Sequence, residues 1–353
     1  MKNFLLISFS VLLITSTFTF AQYERQPADS IGFCWNATDM DALIKFLETN
    51  NPQIEKTNKS IIAAISPHDD YLYAGNIYYP LYENINSKEI IIFGVTHATV
   101  RRAINDPKGI IIFDEFNKWP GPYSKVSISP LREKLKSRLN KSDFLVSNKA
   151  HGLEHSIEAL IPFIQFYNRN FKITPIMVTA MSYEEMHKTA QELSNVIVEY
   201  IKQNNLTLGK DIFFLFSNDA NHYGEDFNNS PFGLDSTAHH IATQNDKKII
   251  DEYINGEISE NSLKLLTAQI WDSPNNQNTV PLWCGRYTII MGLLTTNMIV
   301  KSLTGKNLKG QLLKYSDSLT EKVLPVKNTG LGTTAAYSYK HWCGFFSSVF
   351  FID

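Results

Sequence analysis

The sequence predicts an α/β fold in which a largely parallel central sheet carries helices on both of its faces. Continuous apolar runs rich in β-branched residues, among them IIAAIS, EIIIFG and DIFFLFS, have the composition of strands that are covered on both sides. Segments with helical spacing of their apolar residues alternate with these runs along the chain. This alternation is typical of parallel strands joined by crossover helices, which gives a three-layer architecture.

The individual elements follow from these patterns in chain order. We expect strands over residues 61–66, 89–94, 108–114, 172–180 and 211–219. The stretches AAYSYKH and GFFSSVFF near the end of the chain predict one or two closing strands with an edge position. Helical spacing predicts helices over residues 39–47, from Pro130 onward, and over 154–167, 183–203, 236–254, 259–271 and 286–300. Ser182 is a plausible N-cap for the helix at 183–203.

Composition places the chain among ordinary globular proteins. It has 353 residues, of which 43% are apolar and 19% charged, and its net charge is −2. The near-neutral charge gives no electrostatic reason to expect nucleic acid or an anionic membrane as a partner. The sequence contains no repeat, low-complexity run or long linker. We therefore expect one domain over residues 22–353.

Residues 1–21 have the layout of a secretory signal peptide. Lys2 gives a positive start, residues 4–20 are almost wholly apolar, and Ala21 is a small residue suited to cleavage before Gln22. A retained membrane anchor is the competing interpretation, because the apolar run approaches spanning length. The polar residues YERQ that follow at once favour cleavage. The mature protein is then expected to be periplasmic or secreted.

Three apolar strands each lead into a histidine. The strand at 61–66 runs into His68, the strand at 89–94 into His97, and the strand at 211–219 into His222. Because ligands of open α/β sheets bind outside the carboxyl ends of the strands, we expect these imidazoles to share one site. A lone loop histidine is usually structural, but three in the same placement favour a site that could hold iron, copper or zinc.

Carboxylates accompany two of the candidate segments. Asp219 lies three residues before His222 and could act as a ligand, an orienting group or an acid–base partner. Glu154 and His155 begin the predicted helix at 154–167, where acidic residues also have a simple structural explanation. Four other histidines are left out of the candidate site. His151 and His187 are expected at the surface, and His239 and His240, at the start of a helical stretch, could equally face solvent.

Cys284 precedes the predicted helix at 286–300. A thiol near a helix N-terminus has its thiolate favoured, which suits either metal ligation or nucleophilic chemistry. The alternative is a small buried apolar residue, the commonest fate of a free cysteine. The odd number of cysteines leaves at least one of them unpaired or metal-bound. A disulfide between Cys34 and Cys343 would leave Cys284 free, and spacing alone does not decide among these possibilities.

At these residues the sequence resembles the MEMO-like family, also called AmmeMemoRadiSam system protein B, whose fold is that of the class III extradiol ring-cleaving dioxygenases. Six motifs match in order along nearly the whole mature chain. ISPHDDYLYAG is similar to the family's A-P-H-A-G-Y-x-Y-S-G, and EHSIEALIP to E-H-S-I-E-x-x-L-P. The other four are RQPA with GFCW, FGVTHA, SNDANHYG and CGR.

The resemblance implies that His68, His97 and Cys284 occupy metal-ligand positions. It also implies that Asp219 and His222 line the same pocket, with His222 as the acid–base residue and Asp219 orienting it. Iron(II) is the metal that the dioxygenase kinship implies, and copper is also a family ligand. The dioxygenases use two histidines and a carboxylate, so a thiolate as third ligand softens the site toward copper(I) or thiolate-bound iron.

These observations support three functional hypotheses. The first is an exported, metal-dependent redox enzyme that activates O₂ or a small organic substrate. The second is a metal- or peptide-binding module on the same fold that has lost turnover, since an adapter role is associated with the family. The third is a hydrolase that uses Cys284 with one of the histidines.

The sequence also departs from the family pattern at positions next to its motifs. Asp69 and Asp70 replace Ala-Gly beside the first histidine, and Ala98 replaces a second adjacent histidine. Tyr287 and Thr288 stand where His-Pro is common. We expect these differences to affect the choice of substrate more than the binding of metal.

Overall fold

The computed structural model describes residues 23–51, 59–271 and 280–352. The predicted signal peptide, residues 1–21, lies outside this part of the chain. Among the helices that the structure describes, none combines the length and the apolar composition needed to cross a bilayer.

The strands, numbered in chain order, form one sheet. They are β1 Ile61–Ser66, β2 Glu89–Val95, β3 Ile111–Phe113, β4 Lys118–Trp119, β5 Val126–Ile128, β6 Phe144–Val146, β7 Lys172–Val178, β8 Ile212–Ser217, β9 His222–Gly224, β10 Gly256–Glu257, β11 Lys309–Asp317 and β12 His341–Phe351. The main order is β10-β11-β12-β1-β8-β2-β7-β3-β6, and β1, β8, β2 and β7 at its centre are parallel neighbours. Antiparallel pairings extend the sheet from β1 to β12 and from β7 to β3.

The helices form a layer on each face of this sheet. They are α1 Ala37–Asn50, α2 Tyr71–Tyr82, α3 Ala98–Ala103, α4 Leu131–Arg138, α5 Asn148–Leu153, α6 Ile161–Tyr167, α7 Tyr183–Gln203, α8 Ser236–Tyr253, α9 Glu260–Ile270, α10 Arg286–Thr304 and α11 Ser318–Glu321. Ser182 caps α7 as expected, and it forms a full capping box with Glu185.

Alternating side chains of the central strands supply two apolar cores. Ile91 and Phe93 of β2 belong to the core that includes α7 and α10, whereas Ile90 and Ile92 belong to the core that includes α1, α2 and α6. Fully burying one such side chain contributes about 1.5–3 kcal/mol, so a strand covered on both faces is held from both sides. The predicted α/β fold, with a largely parallel central sheet and helices on both faces, is confirmed.

Several local expectations were wrong. The predicted helix at 154–167 is helical in the α form only from Ile161, and Glu154 has extended backbone angles. The side chains of Glu154 and Ser156 bind the backbone of the β2 end at His97 and Val95, which holds this segment away from a helical path. The closing strand β12 lies between β1 and β11 rather than at an edge, and residues 335–340 do not form the other closing strand.

Gly224, the last residue of strand β9, occupies a position that only glycine fits well. Its backbone angles are unusual, and its Cα lies close to the backbone of the segment before β12. Gly224 has φ +125° and ψ −176°, a conformation that is essentially restricted to glycine. A Cβ atom there would lie 2.0 Å from the backbone oxygen of Lys340. Gly305, at the end of α10, also has a positive φ of +73°, but a Cβ atom there would meet nothing within 4 Å.

We expect Gly224→Ala to lower the free energy of unfolding by about 3 kcal/mol or more, because backbone strain and a backbone clash add together. Gly305→Ala is the matched control and should cost about 1 kcal/mol, from the positive φ alone. Urea denaturation followed by circular dichroism measures both values. Equal losses in the two variants would show that the approach of β9 to residue 340 does not constrain the fold.

Candidate metal centre

The ends of three parallel strands bring the predicted site residues to one edge of the sheet. Ser66 of β1 pairs with Ser217 of β8, so His68 and Asp219 leave the sheet at the same level. Strand β2 pairs with the other side of β8, and His97 follows it after two residues. This arrangement places the side chains that follow β1, β8 and β2 over one crevice, as the sequence predicted.

The loop before α10 completes the group with Cys284. The ligand atoms of His68, His97 and Cys284 all lie within 4.8 Å of one another, and the Sγ atom of Cys284 is 3.3 Å from Nε2 of His68. A Cβ atom at Gly285 would lie 2.6 Å from the backbone oxygen of Ser217, so glycine is what allows this loop to approach the end of β8. The ligand atoms of Asp219, His222 and Cys284 lie equally close to one another.

Hydrogen bonding fixes the tautomer of His68. The hydroxyl of Ser217 lies 2.6 Å from the backbone oxygen of Ser156, which can only accept, so it must donate its proton there. Nδ1 of His68 lies 2.7 Å from the same hydroxyl and must therefore donate to it. The lone pair of His68 is consequently on Nε2, the atom that faces Cys284. This is the form in which imidazole binds a metal.

Glu154 holds the ring of His97 in the corresponding way. One carboxylate oxygen lies 2.8 Å from Nδ1 of His97 and also accepts from the backbone N–H of Ser156, and the other accepts from the backbone N–H of His97. Burial lowers the pKa of His97, but the Glu154 carboxylate outweighs it and the net shift is upward. Burial raises the pKa of Glu154, but His97 reverses this and holds it well below its usual range. Glu154 is therefore an ionised acceptor that directs Nε2 of His97 into the crevice.

The resulting donor set fits a cation. Oδ2 of Asp219 lies 3.4 Å from Nε2 of His68, and Sγ of Cys284 lies 3.3 Å from the same nitrogen. A carboxylate oxygen, an imidazole lone pair and a sulfur atom are thus close together, and all three are electron donors. Burial raises the pKa of Asp219 well above its usual value, and Asp69 raises it further. Burial, followed by the charge of Asp219, likewise raises the pKa of the Cys284 thiol. A bound metal ion would offset both effects, because it stabilises the deprotonated forms of its ligands.

Two further imidazoles face the crevice in neutral form. Burial, then the nearby His97, lowers the pKa of His222 to about 3 and that of His155 to about 4. Nε2 of His222 is buried without a hydrogen-bond partner among the described residues. The His222 ring packs against Phe227, with 4.8 Å between ring centroids. His155 stacks on His97 at 4.6 Å. The rings of His222 and His155 are therefore uncharged near neutral pH, and the open nitrogen of His222 is available to accept a hydrogen bond from a bound group.

Asp69 and Asp70, which depart from the family pattern, line the crevice beside His68. Asp69 accepts a hydrogen bond from the hydroxyl of Tyr337, and Asp70 accepts from the backbone N–H and the hydroxyl of Thr334. Burial, then Asp70, raises the pKa of Asp69 to about 7. Burial raises the pKa of Asp70 to about 6. Both carboxyl groups are therefore harder to ionise than free ones, and each adds negative charge to the crevice only when it loses its proton.

The structure brings all five predicted site residues together, but one predicted relation differs. Asp219 contacts His68 through its carboxylate, and no hydrogen bond joins it to His222 in the part of the chain that the structure describes. Glu154, His155 and Ser217 were not among the predicted site residues. The match of EHSIE to the family motif was the available signal for the first two, and the expectation of a helix there obscured it.

Other sequence-based expectations can also be compared with the structure. His151 was expected at the surface but is buried, with 1% of its surface exposed, and its Nε2 bonds the backbone oxygen of Ile112. His187 lies at the surface as expected. All three cysteines are free thiols, so the alternative with a disulfide between Cys34 and Cys343 does not hold.

Comparison with known proteins identifies similar chains. The family model described as Memo-like protein matches residues 30–326. A MEMO1 family protein of Saccharolobus solfataricus is 31% identical over 176 residues, which are 48% of this chain and 56% of that protein. A MEMO1 family protein of Aquifex aeolicus is 31% identical over 166 residues, 46% of this chain and 54% of that protein. The alignments thus span about half the length of these curated relatives.

We expect Glu154→Gln to bring the pKa of His97 below its ordinary value of 6.5. The variant removes the main charge that raises this pKa. Asp69, which raises it less, remains, and so do burial and Arg101, which both lower it. NMR titration of the imidazole C–H signals in chelator-treated protein measures the shift. Glu184→Gln, at an exposed position on α7, is the control and should leave the titration of His97 unchanged. An unaltered pKa in Glu154→Gln would contradict the role assigned to this carboxylate.

Proposed function

The chain belongs to the Memo-like family, and from that premise we propose that it is a metal-dependent redox enzyme whose metal ion is held by His68, His97 and Cys284. The observation that carries the proposal is the mutual approach of their ligand atoms to within 4.8 Å. The hydrogen bonds of Ser217 and Glu154 support it, because they leave Nε2 of both histidines facing the crevice.

The chemistry of the donor set indicates which metals to expect. Two imidazole nitrogens and one thiolate suit iron(II) and copper, and we propose iron(II) first and copper second. Such an ion, when bound, supplies one-electron chemistry and open coordination positions for O₂ or a substrate. Asp219 lies close enough to His68 to add a carboxylate oxygen to the set or to balance the charge of the ion.

The residues around the ligands have roles of their own in this proposal. Nε2 of His222 has no partner in the described structure, so it is placed to accept a hydrogen bond from a substrate hydroxyl or amine beside the metal position, and it takes up the proton once the bound substrate or a neighbouring carboxylate raises the pKa of the ring. Glu154 and Ser217 keep the ligand rings from rotating. Phe33 and Phe227 line the crevice and exclude water from part of it.

A second candidate function is a cysteine-dependent hydrolase, because the geometry also contains a thiol–imidazole pair. Sγ of Cys284 lies 3.3 Å from Nε2 of His68, whose other nitrogen is held by Ser217. Such a pair could activate the thiol as a nucleophile in metal-free protein. Ester hydrolysis by chelator-treated protein that is abolished by thiol alkylation would favour this function. Hydrolysis that is absent, or indifferent to alkylation, would exclude it.

We also propose that the protein acts outside the cytoplasm. The signal-peptide layout of residues 1–21 supports this location. N-terminal sequencing of the protein recovered from the extracytoplasmic fraction of a bacterial host tests it. A mature chain that begins at Gln22 supports export, whereas a chain that retains Met1 and stays in the cytoplasm contradicts it.

We expect wild-type protein purified without chelator, or reconstituted with iron(II) or copper, to hold a metal ion that His68→Ala and Cys284→Ala do not retain. Loss of a ligand should weaken binding by at least about 100-fold, since even the groups that support ligands contribute 10- to 100-fold. Elemental analysis after gel filtration measures the metal content. His187→Ala, at an exposed position, is the matched control. Full metal content in both ligand variants would contradict the proposed site.

We expect the metal-loaded protein to consume O₂ with a member of a catechol panel, and His222→Ala to reduce that rate by about 10²- to 10⁴-fold. The reason is the loss of the proton acceptor, so the metal content of the variant should be unchanged. An oxygen electrode measures the rates, and His240→Ala, which removes an exposed imidazole, serves as the control. If fully loaded wild type shows no uptake across the panel, a non-catalytic metal-binding module is the better description.

A further inference from the structure

Two cavities of opposite charge meet at the candidate metal ligands. The first, of about 390 Å³, is here called the acidic pocket, and its lining includes Asp29, Asp69, Asp70, Asp219, Phe33 and Phe227. The second, of about 200 Å³, is called the basic pocket, and its lining includes Arg101, Arg286, Val178, Leu282, Tyr287 and Thr288. His97 and His222 line both cavities, so their rings form the shared wall.

Among the described lining residues, the two pockets have no type of charged side chain in common other than histidine. The acidic pocket has four aspartates there and no lysine or arginine. The basic pocket has two arginines and no aspartate or glutamate. A ligand that enters both pockets therefore meets carboxyl groups at one end and guanidinium groups at the other.

The strand order gives the distance between the pockets. The acidic pocket includes residues that follow β1 and β8, namely His68 and Asp219, whereas the basic pocket includes residues at the ends of β2 and β7, such as Val95 and Val178. Neighbouring strands lie about 4.8 Å apart, so the centres of these two strand pairs are roughly 10 Å apart. We take this spacing of the strands as the separation of the two charges of a ligand that enters both pockets, which is longer than an α-amino acid spans.

The charged groups are placed to contact a ligand. A Cβ atom on Gly32 would lie 2.1 Å from Oδ1 of Asp70 and 3.1 Å from Oδ2 of Asp29, so these two carboxylate oxygens lie close to each other beside Gly32, and both residues line the acidic pocket. In the basic pocket, Nη1 of Arg101 is 3.5 Å from Asp106, a long and partly exposed contact that leaves the guanidinium able to turn toward an anion.

An open nitrogen between the pockets points independently to a ligand. Nε2 of His222 is buried in the shared wall and has no hydrogen-bond partner within the described chain. Buried polar atoms are nearly always paired in folded proteins, so an exception at a cavity wall is what an absent ligand group leaves. The walls between the charged ends are apolar or aromatic, with Leu282 and Tyr287 on one side and Phe227 on the other.

We propose that the substrate of this site is an elongated zwitterion, with an ammonium group in the acidic pocket and a carboxylate in the basic pocket. Its apolar middle passes His97 and His222 and so lies beside the metal position. The inference rests on the proposed function for the position of the metal. The charged groups that would select the ligand are side chains of the protein and do not depend on the metal. The acidic side is formed in part by Asp69 and Asp70 and the basic side by Tyr287 and Thr288, all positions at which this sequence departs from the family motifs.

Three probes of the same length test the proposal by isothermal titration calorimetry. They are 8-aminooctanoate, which carries both charges, octylamine, which carries only the ammonium group, and octanoate, which carries only the carboxylate. We expect the zwitterion to bind at least about tenfold more tightly than either of the others, because each lost charged contact costs about that factor. The shorter 4-aminobutanoate should bind more weakly than 8-aminooctanoate, since it cannot span both pockets.

Two charge-removing variants should give opposite patterns. Asp70→Asn should weaken 8-aminooctanoate and octylamine about tenfold and leave octanoate unchanged, whereas Arg101→Gln should weaken 8-aminooctanoate and octanoate and leave octylamine unchanged. Asp251→Asn and Arg138→Gln, at exposed positions away from the pockets, are the matched controls. Equal binding of the three probes, or variants that weaken all three alike, would overturn the proposal. Thermal melting of each variant identifies a loss of fold.

The same samples separate this inference from the proposed function. Metal content is measured in each preparation, and the titrations are repeated after chelator treatment. If the protein binds metal but shows no preference for the zwitterion, the ligand class is wrong and the metal proposal is unaffected. If Asp70→Asn and Arg101→Gln show the opposite binding patterns described above, but no preparation retains metal, the ligand class is supported and the redox function is contradicted.

Discussion

The parallel register of β1, β8 and β2 is the constraint on which the rest of the site depends. Pairing of Ser66 with Ser217 sets two strand ends at one level, and the pairing of β2 with β8 brings the third end beside them. A shift of one residue in either pairing would turn every side chain of that strand to the opposite core. Because both faces of these strands are packed in apolar cores, such a shift would place each side chain in a space shaped for a different one. The same burial that stabilises the sheet therefore fixes the positions from which His68, His97 and Asp219 start.

Hydrogen bonds with Glu154 and Ser217 orient the rings of His97 and His68 so that one nitrogen of each faces the crevice. These bonds form where the chain gives up part of a regular helix. Glu154 has an extended backbone where the apolar spacing favours a helix, and the side chains of Glu154 and Ser156 and the backbone oxygen of Ser156 instead bind His97, Val95 and Ser217. Local sequence preference and tertiary structure disagree here, as they commonly do at functional sites. The exchange replaces about one turn of helix by hydrogen bonds that orient both imidazoles.

The central strands and the histidines that follow them were predictable from the sequence, whereas several other elements were not. The central strands were predictable because burial on both faces leaves a continuous apolar run, and the histidines after them followed from the general location of sites in such sheets. Helix α2 was not predicted, since it is buried on nearly all sides and contains Pro80, so it lacks the amphipathic period of a surface helix. Strand β11 was missed for the opposite reason, because its largely half-exposed, polar sequence has no apolar run. Glu154 could not be separated from ordinary helix-end chemistry without the tertiary contact to His97.

The distribution of charge suggests how one ligand set can serve different substrates in proteins of this fold. The atoms that would hold the metal are fixed by the sheet register and by hydrogen bonds from Ser217 and Glu154, and none of the residues that depart from the family motifs supplies one of those atoms. The departures instead line the two pockets on either side of the ligands. Changes there alter charge and shape without disturbing the strands that position the ligands. Under the proposed function and ligand class, substrate selection and metal binding thus fall to different residues, although both sets meet at the rings of His97 and His222.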